Sequence, residues 1–203
     1  MAPRLSRSFY SQPVLRVAEA CIGKILVHDT PEGLVAGRIV EAEAYRGPQD
    51  AAAHSRGGRR TPRTEAMFGE AGRAYVFMIY GIHYHFNLVA GGVGEPHAVL
   101  IRAAEPLAGL DIMRRRRGPA GRGLNVTNGP GKLCQAFGIE AKDYASDLCA
   151  GPLYLAEAAP TEILRSPRIG VDYAGSWARK LWRFSEAENP YVSVPPRATL
   201  RRK

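Results

Sequence analysis

Glu41 and Glu43, two residues apart in the run Val40-Glu-Ala-Glu-Ala-Tyr45, have the types and spacing to do chemistry. Side chains alternate along an extended strand, so Glu41, Glu43 and Tyr45 share one face while Val40, Ala42 and Ala44 share the other. A carboxylate set among small apolar residues can be desolvated and act as a general acid or base. The same spacing equally suits two strand-face charges paired with Arg38 or Arg102.

Other segments offer binding chemistry. His54-Ser-Arg-Gly-Gly-Arg-Arg-Thr-Pro-Arg63 sets four arginines beside two glycines that let a backbone approach a phosphate, although such a stretch can also be a solvated basic loop. Tyr75, Phe77, Tyr80, Tyr84 and Phe86 suit either a sheet core or stacking on unpaired bases. A residue at the hairpin tip, Tyr80 or Ile82, would project as a wedge. His83 and His85 share a strand face and read as surface hairpin histidines. No His, Cys or carboxylate set has a familiar metal spacing, so no metal is expected. Asn128-Gly-Pro-Gly-Lys132 resembles an anion site at a helix start but lacks the full phosphate-loop pattern, and neither G-x-G-x-x-G nor G-x-S-x-G occurs. Nucleotide hydrolysis, hydride transfer and serine hydrolysis therefore have no anchor, and no cofactor is expected.

The elements that must position these residues follow from periodicity. Pro13 opens a short amphipathic helix on Val14, Val17, Ala18, Cys21 and Ile22 that stops at Gly23. Runs 24–29 and 34–45 read as a hairpin about Thr30-Pro-Glu-Gly33. Residues 46–73 form an extended functional loop, 74–80 and 84–89 are strands joined near Gly81, and 98–104 is a third. Pro106 is expected to open a helix ending in Arg114–Arg117, and Asn128 to cap a helix that ends at Gly138. The fold class is α+β, one domain over 1–203 with short flexible ends at about 1–8 and 196–203.

The chain has 203 residues and a formal charge of +9, with 45% hydrophobic residues, enough for a real core. Three widely spaced cysteines, Cys21, Cys134 and Cys149, suggest a reducing compartment rather than a disulfide framework. The N-terminus has no secretory pattern, and the apolar stretch 74–89 is interrupted by polar residues, so a soluble, cytoplasmic protein without a membrane partner is expected. The basic excess favours a polyanionic partner.

Nine segments in order resemble one family: Glu41-Ala-Glu-Ala-Tyr45, Ala53-His-Ser-Arg-Gly-Gly58, Thr61-Pro-Arg63, Tyr75-Val-Phe-Met-Ile-Tyr-Gly81, Asn87, Leu100-Ile-Arg-Ala103, Glu105-Pro-Leu107, Gly131-Lys-Leu-Cys-Gln-Ala136 and Trp177-Ala-Arg-Lys180. They are similar to the alkyladenine (3-methyladenine) DNA glycosylases of the animal and bacterial type, from about Phe9 to Val194. The resemblance implies a single compact domain with a central antiparallel sheet, surrounding helices and a protruding hairpin that intercalates in DNA. It implies a monofunctional glycosylase of base excision repair acting on double-stranded DNA. The enzyme would flip methylated adenine or guanine, hypoxanthine or ethenoadenine and leave an abasic site. It would work as a monomer, associated with the nucleoid in a bacterium.

By the same resemblance Glu43 activates water with Arg102 as its partner. Tyr45 is one wall of the base pocket and His54 with Phe77 the other, Asn87 excludes normal guanine, and Tyr80 intercalates with Ile82 beside it. Arg56, Arg59, Thr61, Lys132 and Arg179 are candidate backbone contacts. None of the five lysines, Lys24, Lys132, Lys142, Lys180 and Lys203, falls in the matched pocket, so no Schiff base is expected. Phe77 stands where some relatives carry tyrosine, and Ile82 replaces a more flexible side chain. The rival reading is a non-catalytic protein of the same fold that binds damaged or abasic DNA.

Overall fold

The computed structural model describes residues 2–196 and the backbone of 200–201. Two hairpins form where strand-forming runs flank turn residues. β1 (Ile25–Thr30) pairs with β2 (Gly33–Tyr45), and β3 (Ala74–Ile79) with β4 (His83–Ala90). With β5 (His97–Ala108), β6 (Leu153–Ala156), β7 (Ile163–Ser166), β8 (Arg183–Glu186) and β9 (Leu200–Arg201) they make one antiparallel sheet. Its order is β3-β4-β5-β2-β8-β7-β9, with β1 between β2 and β6. The architecture is α+β, a central antiparallel sheet with helices around it.

One face of the sheet and the helices make the main core. α1 (Arg7–Tyr10) leads into α2 (Val14–Cys21), whose Val14, Val17, Ala18 and Cys21 are buried at the spacing that the sequence predicts. They join Ile39, Ala42, Ala44, Phe86, Leu88, Val99, Ile101 and Phe184 from the sheet. Met113 of α3 (Leu110–Arg117) and Leu133, Ala136 and Phe137 of α4 (Pro130–Phe137) complete this cluster. Near the N-terminus Leu5 is buried and its N–H donates to the Leu155 carbonyl at 2.8 Å. Of the C-terminal end expected at 196–203, residues 197–199, 202 and 203 lie outside the described residues.

Three local expectations are corrected. Val40 does not share a face with Ala42 and Ala44, because the β2–β5 register shifts between Ile39 and Glu41 and again between Glu41 and Ala42. The bulge leaves Ile39 with Ala42 and Ala44 in the main core and moves Val40 into a separate cluster with Ala103 and Val192. Pro106 opens no helix. It lies within β5 opposite Gly37, next to a register irregularity, where its missing N–H is tolerated. The helix starts only after Gly109, whose φ of +72° and a Cβ that would lie 2.5 Å from the Leu34 carbonyl leave room for glycine alone. Asn128 does not cap α4 either: Gly129 occupies that position, and the Asn128 Oδ1 accepts from Lys132 Nζ at 2.9 Å.

Three arginines of the run at the end of α3 are engaged within the protein. Arg115 and Arg116 bind Glu32 in the β1–β2 turn, and Arg116 also donates to Thr30 and to the Ala136 carbonyl. Arg117 donates to Gln135. These side chains fasten α3 to α4 and to the first hairpin, so they are less available to a phosphate backbone than the charge run suggests.

Candidate active site

The sheet face away from the main core carries the functional side chains, because alternation sends Tyr75, Phe77, His85, Asn87, Leu100 and Arg102 to the side opposite Val76, Phe86, Val99 and Ile101. They line a cavity of about 450 Å³, closed by Tyr45 from β2, His54 and Met67 from the 46–73 loop, Gly129–Lys132 at the start of α4, and Ile169–Val171. A wider cleft of about 980 Å³ lies between α2 and β7–β8, but none of the sequence-predicted site residues reaches it. The smaller cavity is therefore the candidate site.

No carboxylate lines this cavity among the described residues. Glu43, 0% exposed, sits directly behind the wall and is held by three groups whose residues do line it. Its Oε2 accepts from the Tyr45 hydroxyl at 2.8 Å and from Arg102 Nη1 at 3.3 Å, and its Oε1 accepts from the Ile169 N–H at 2.8 Å. Glu41 is one step further away. It accepts from Arg102 Nε at 3.1 Å, Arg183 Nη1 at 2.9 Å and the Ser193 N–H at 2.7 Å, which makes it a structural anchor for Arg102. Arg38 takes no part and lies near Glu105 instead. Burial alone would lower the Arg102 pKa, but the charges of Glu43 and then Glu41 raise it. Burial, followed by the charge of Glu43, pushes the Tyr45 phenol well above its usual range, so it remains a hydrogen-bond donor.

A second buried ion pair holds the segment that covers Glu43. Arg168 donates through Nη1 to Asp50 Oδ2 at 2.5 Å and through Nη2 to Oδ1 at 2.9 Å, with both side chains fully buried. Arg168 also lies 4.6 Å from the Tyr45 ring centroid and donates to the Ala44 carbonyl. The residue after it, Ile169, supplies the N–H to Glu43.

The aromatic wall is built by cross-strand pairing. Phe77 packs against His54 with ring centroids 4.6 Å apart, and His54 Nδ1 is 2.8 Å from the Tyr75 hydroxyl. Although exposed on one side, the His54 ring is desolvated on the other. That burial, then the charges of Arg63 and Arg59, lowers its pKa to about 4. Burial, then Arg102, His83 and His54, brings His85 to about 4 as well. Both folded values lie below the usual imidazole value of about 6.5. The unfolded chain therefore binds more protons, and stability present above about pH 6.5 is lost as pH falls toward 4. Thermal unfolding followed from pH 7 to pH 4 should show that decline, and it should be shallower in His85→Gln. An equal decline in that variant would remove His85 from the account.

The Asn87 amide donates to the Tyr75 carbonyl at 3.0 Å, which fixes its orientation on the cavity wall. At the β3–β4 tip Tyr80 is 86% exposed and Ile82 72% exposed. Tyr80 has φ +54° and Gly81 φ +71°, a pair of left-handed residues bridged by the Ile82 N–H to the Ile79 carbonyl at 3.3 Å. Left-handed backbone costs a non-glycine residue about 1–2 kcal/mol, and no packing holds this exposed side chain. Asn tolerates that conformation better. Tyr80→Asn should therefore leave the chain as stable or about 0.5–1 kcal/mol more stable in chemical denaturation. A loss above about 1 kcal/mol would show that the tyrosine is structural.

The structure thus brings Tyr45, His54, Phe77, Asn87, Arg102, Tyr80 and Lys132 to one cavity with Glu43 behind it, and leaves Ile82, Arg56, Arg59, Thr61 and Arg179 off its walls. Arg56, Arg59 and Arg179 are exposed and, among the described residues, have no carboxylate in ion-pair range, whereas Thr61 N–H binds Thr64 Oγ1 within the loop. Lys132 corrects the expectation that no lysine reaches the pocket. It lies on the rim with Nζ bound to Asn125 and Asn128, because Gly129 and Gly131 carry the start of α4 up to His83. Sequence reasoning also missed His85, Asp50, Arg168 and Arg183. His85 could have been found from the alternation that puts it on the same strand face as Asn87. The two arginines arrive from more than a hundred residues away without a local pattern.

Residues 8–190 match the model of the methylpurine-DNA glycosylase family. The chain belongs to that family. Similar proteins are aligned over nearly the whole of this chain. One from Desulfitobacterium hafniense, named "Putative 3-methyladenine DNA glycosylase", is 46% identical over 94% of this chain and 98% of its own. The human protein named DNA-3-methyladenine glycosylase is 44% identical over 96% of this chain and 69% of its own. Within this methylpurine-DNA glycosylase family member, no group of three or more potential metal ligands and no helix long and apolar enough to cross a membrane occurs among the described residues.

Proposed function

We propose that the chain is a monofunctional DNA glycosylase of base excision repair. It would take a flipped alkylated or deaminated purine into the 450 Å³ cavity and hydrolyse its N-glycosidic bond, leaving an abasic site. The observation that carries this reading is the placement of Glu43, a buried carboxylate bonded to three residues of the cavity wall. Water entering between Arg102 and Tyr45 meets Glu43 Oε2, which accepts its proton as the oxygen attacks the sugar C1′, and the bond to the purine nitrogen breaks. A cationic alkylpurine leaves as a neutral base, so little acid assistance is needed. The pair on which the purine stacks is Tyr45 on one side with Phe77 and His54 on the other. The rigid Asn87 amide meets the guanine amino group and disfavours the undamaged base.

Tyr80 fills the gap in the duplex with Ile82 beside it, while Arg56, Arg59, Thr61, Lys132 and Arg179 contact the backbone. The Lys132 ammonium, bound to two side-chain amide oxygens, is assigned to phosphate rather than to the sugar. The protein acts as a monomer, because one cavity takes one nucleotide. Incubating it with duplexes carrying hypoxanthine, ethenoadenine or 7-methylguanine, then cleaving with alkali, should give scission at the lesion. No scission with any lesion would defeat the enzyme and leave a damage-binding protein. Borohydride should trap no covalent adduct; a trapped one would make Lys132 a nucleophile.

A further inference from the structure

His85 is a titratable side chain of the cavity wall with no part in the hydrolysis above. It shares the cavity face of β4 with His83 and Asn87, and its cross-strand partner is Phe77, with ring centroids 5.4 Å apart. On its other side Arg102, from the neighbouring strand β5, lines the same cavity near enough for its charge to act on the imidazole. The imidazole thus stands between a stacking wall and the guanidinium that binds Glu41 and Glu43.

We propose that His85 determines which purines the cavity takes: as an uncharged spacer between Arg102 and the base, it admits cationic alkylpurines as well as neutral ones. The proposal rests on the cavity being a purine pocket. Its basis is a charge balance. Arg102 on the wall and Arg183 behind it are matched by Glu41 and Glu43, and Arg168 by Asp50. The charged or titratable groups facing His85 are Arg102 from β5, His83 on its own strand and His54 from the loop, while Lys132 is held at the α4 rim. Burial and then Arg102 keep His85 neutral at pH 7, and burial does the same for His54. The base therefore meets aromatic faces and neutral rings, surroundings that tolerate a positive charge. A fixed cation at position 85, roughly 6 Å from the base, would weaken a cationic purine relative to a neutral one on the order of a hundredfold at an effective dielectric of about 20.

The test compares single-turnover excision of 7-methylguanine and hypoxanthine from otherwise identical duplexes by the whole chain and two variants. His85→Lys should lower the 7-methylguanine to hypoxanthine rate ratio by about thirtyfold or more, and His85→Gln, neutral and similar in reach, should leave that ratio within about threefold. An unchanged ratio in His85→Lys would overturn the proposal. If His85→Lys does not fold, His85→Arg in the same comparison decides: a fixed cation there should lower the ratio by a comparable factor, and an unchanged ratio would overturn the proposal. Failure of the parent chain to excise either base would instead sink the glycosylase reading itself.

Discussion

Glu43→Gln is expected to abolish excision while leaving binding to an abasic-site duplex within a few-fold of the parent. The substitution keeps volume but replaces an acceptor oxygen by an NH₂ group in a site where all three neighbours donate: Tyr45, Arg102 and the Ile169 N–H. One amide oxygen can serve only one side. The Tyr45 hydroxyl can turn to accept from the new NH₂, whereas Arg102 cannot, so the amide oxygen stays with Arg102 or with Ile169. Losing a proton acceptor at this point removes general-base assistance worth about 10²–10⁴-fold, and the mismatched donor costs about 1–3 kcal/mol of stability. Single-turnover rates on a 7-methylguanine duplex, fluorescence anisotropy on an abasic duplex and a denaturation curve separate these effects. A rate within tenfold of the parent would remove Glu43 as the base and shift attention to another group.

The second large effect is expected away from the cavity, at Asp50→Ala. Asp50 and the Arg168 side chain are both fully buried, and their two-point bond is supplemented by Asp50 accepting from the Arg46 and Ala52 N–H groups. Removing one partner of such a pair leaves an uncompensated buried charge and costs about 3–5 kcal/mol. Because Ile169 follows Arg168 directly, the loss also loosens the N–H that holds Glu43 Oε1. Chemical denaturation should show the stability loss, and excision should fall at a temperature where the variant is still folded. The double variant Asp50→Leu with Arg168→Met should recover much of the stability, since it removes both charges, but not the activity, since the 168–170 segment is no longer pinned. A cost below about 1 kcal/mol for Asp50→Ala would mean that water reaches Arg168.

Strand alternation was enough to bring Glu43 and Tyr45 to one face, where the Tyr45 hydroxyl meets Glu43, because period-two patterning is a local property. The helix on Val14, Val17, Ala18 and Cys21 was legible for the same reason. What escaped was set by distant partners. That Glu43 rather than Glu41 is bonded to Tyr45 and Ile169 of the cavity wall goes with Arg183 and Ser193 closing on Glu41. Pro106 looked like a helix start because proline favours that position, yet an irregular strand pairing accommodates it equally well. His83 and His85 looked alike as hairpin residues. Only the third strand, which places Arg102 beside the second of them, sets the two apart.

The bulge at Val40 and Glu41 has a consequence for how this gene can vary in length. It is the one extra residue that lets Ile39 and Ala42 face the same core while Glu43 sits behind the cavity wall. Losing a codon there would restore strict alternation and exchange the two faces of every residue before or after it, sending a carboxylate into the core or an alanine to the place of Glu43. The 46–73 loop has short turns and exposed glycines, and could absorb such a change locally. In-frame deletions should therefore be tolerated around the exposed Gly57 and Gly58 and purged both at the bulge and at the buried turn from Gly47 to Asp50, so that the candidate site is bounded by a step in permitted reading lengths.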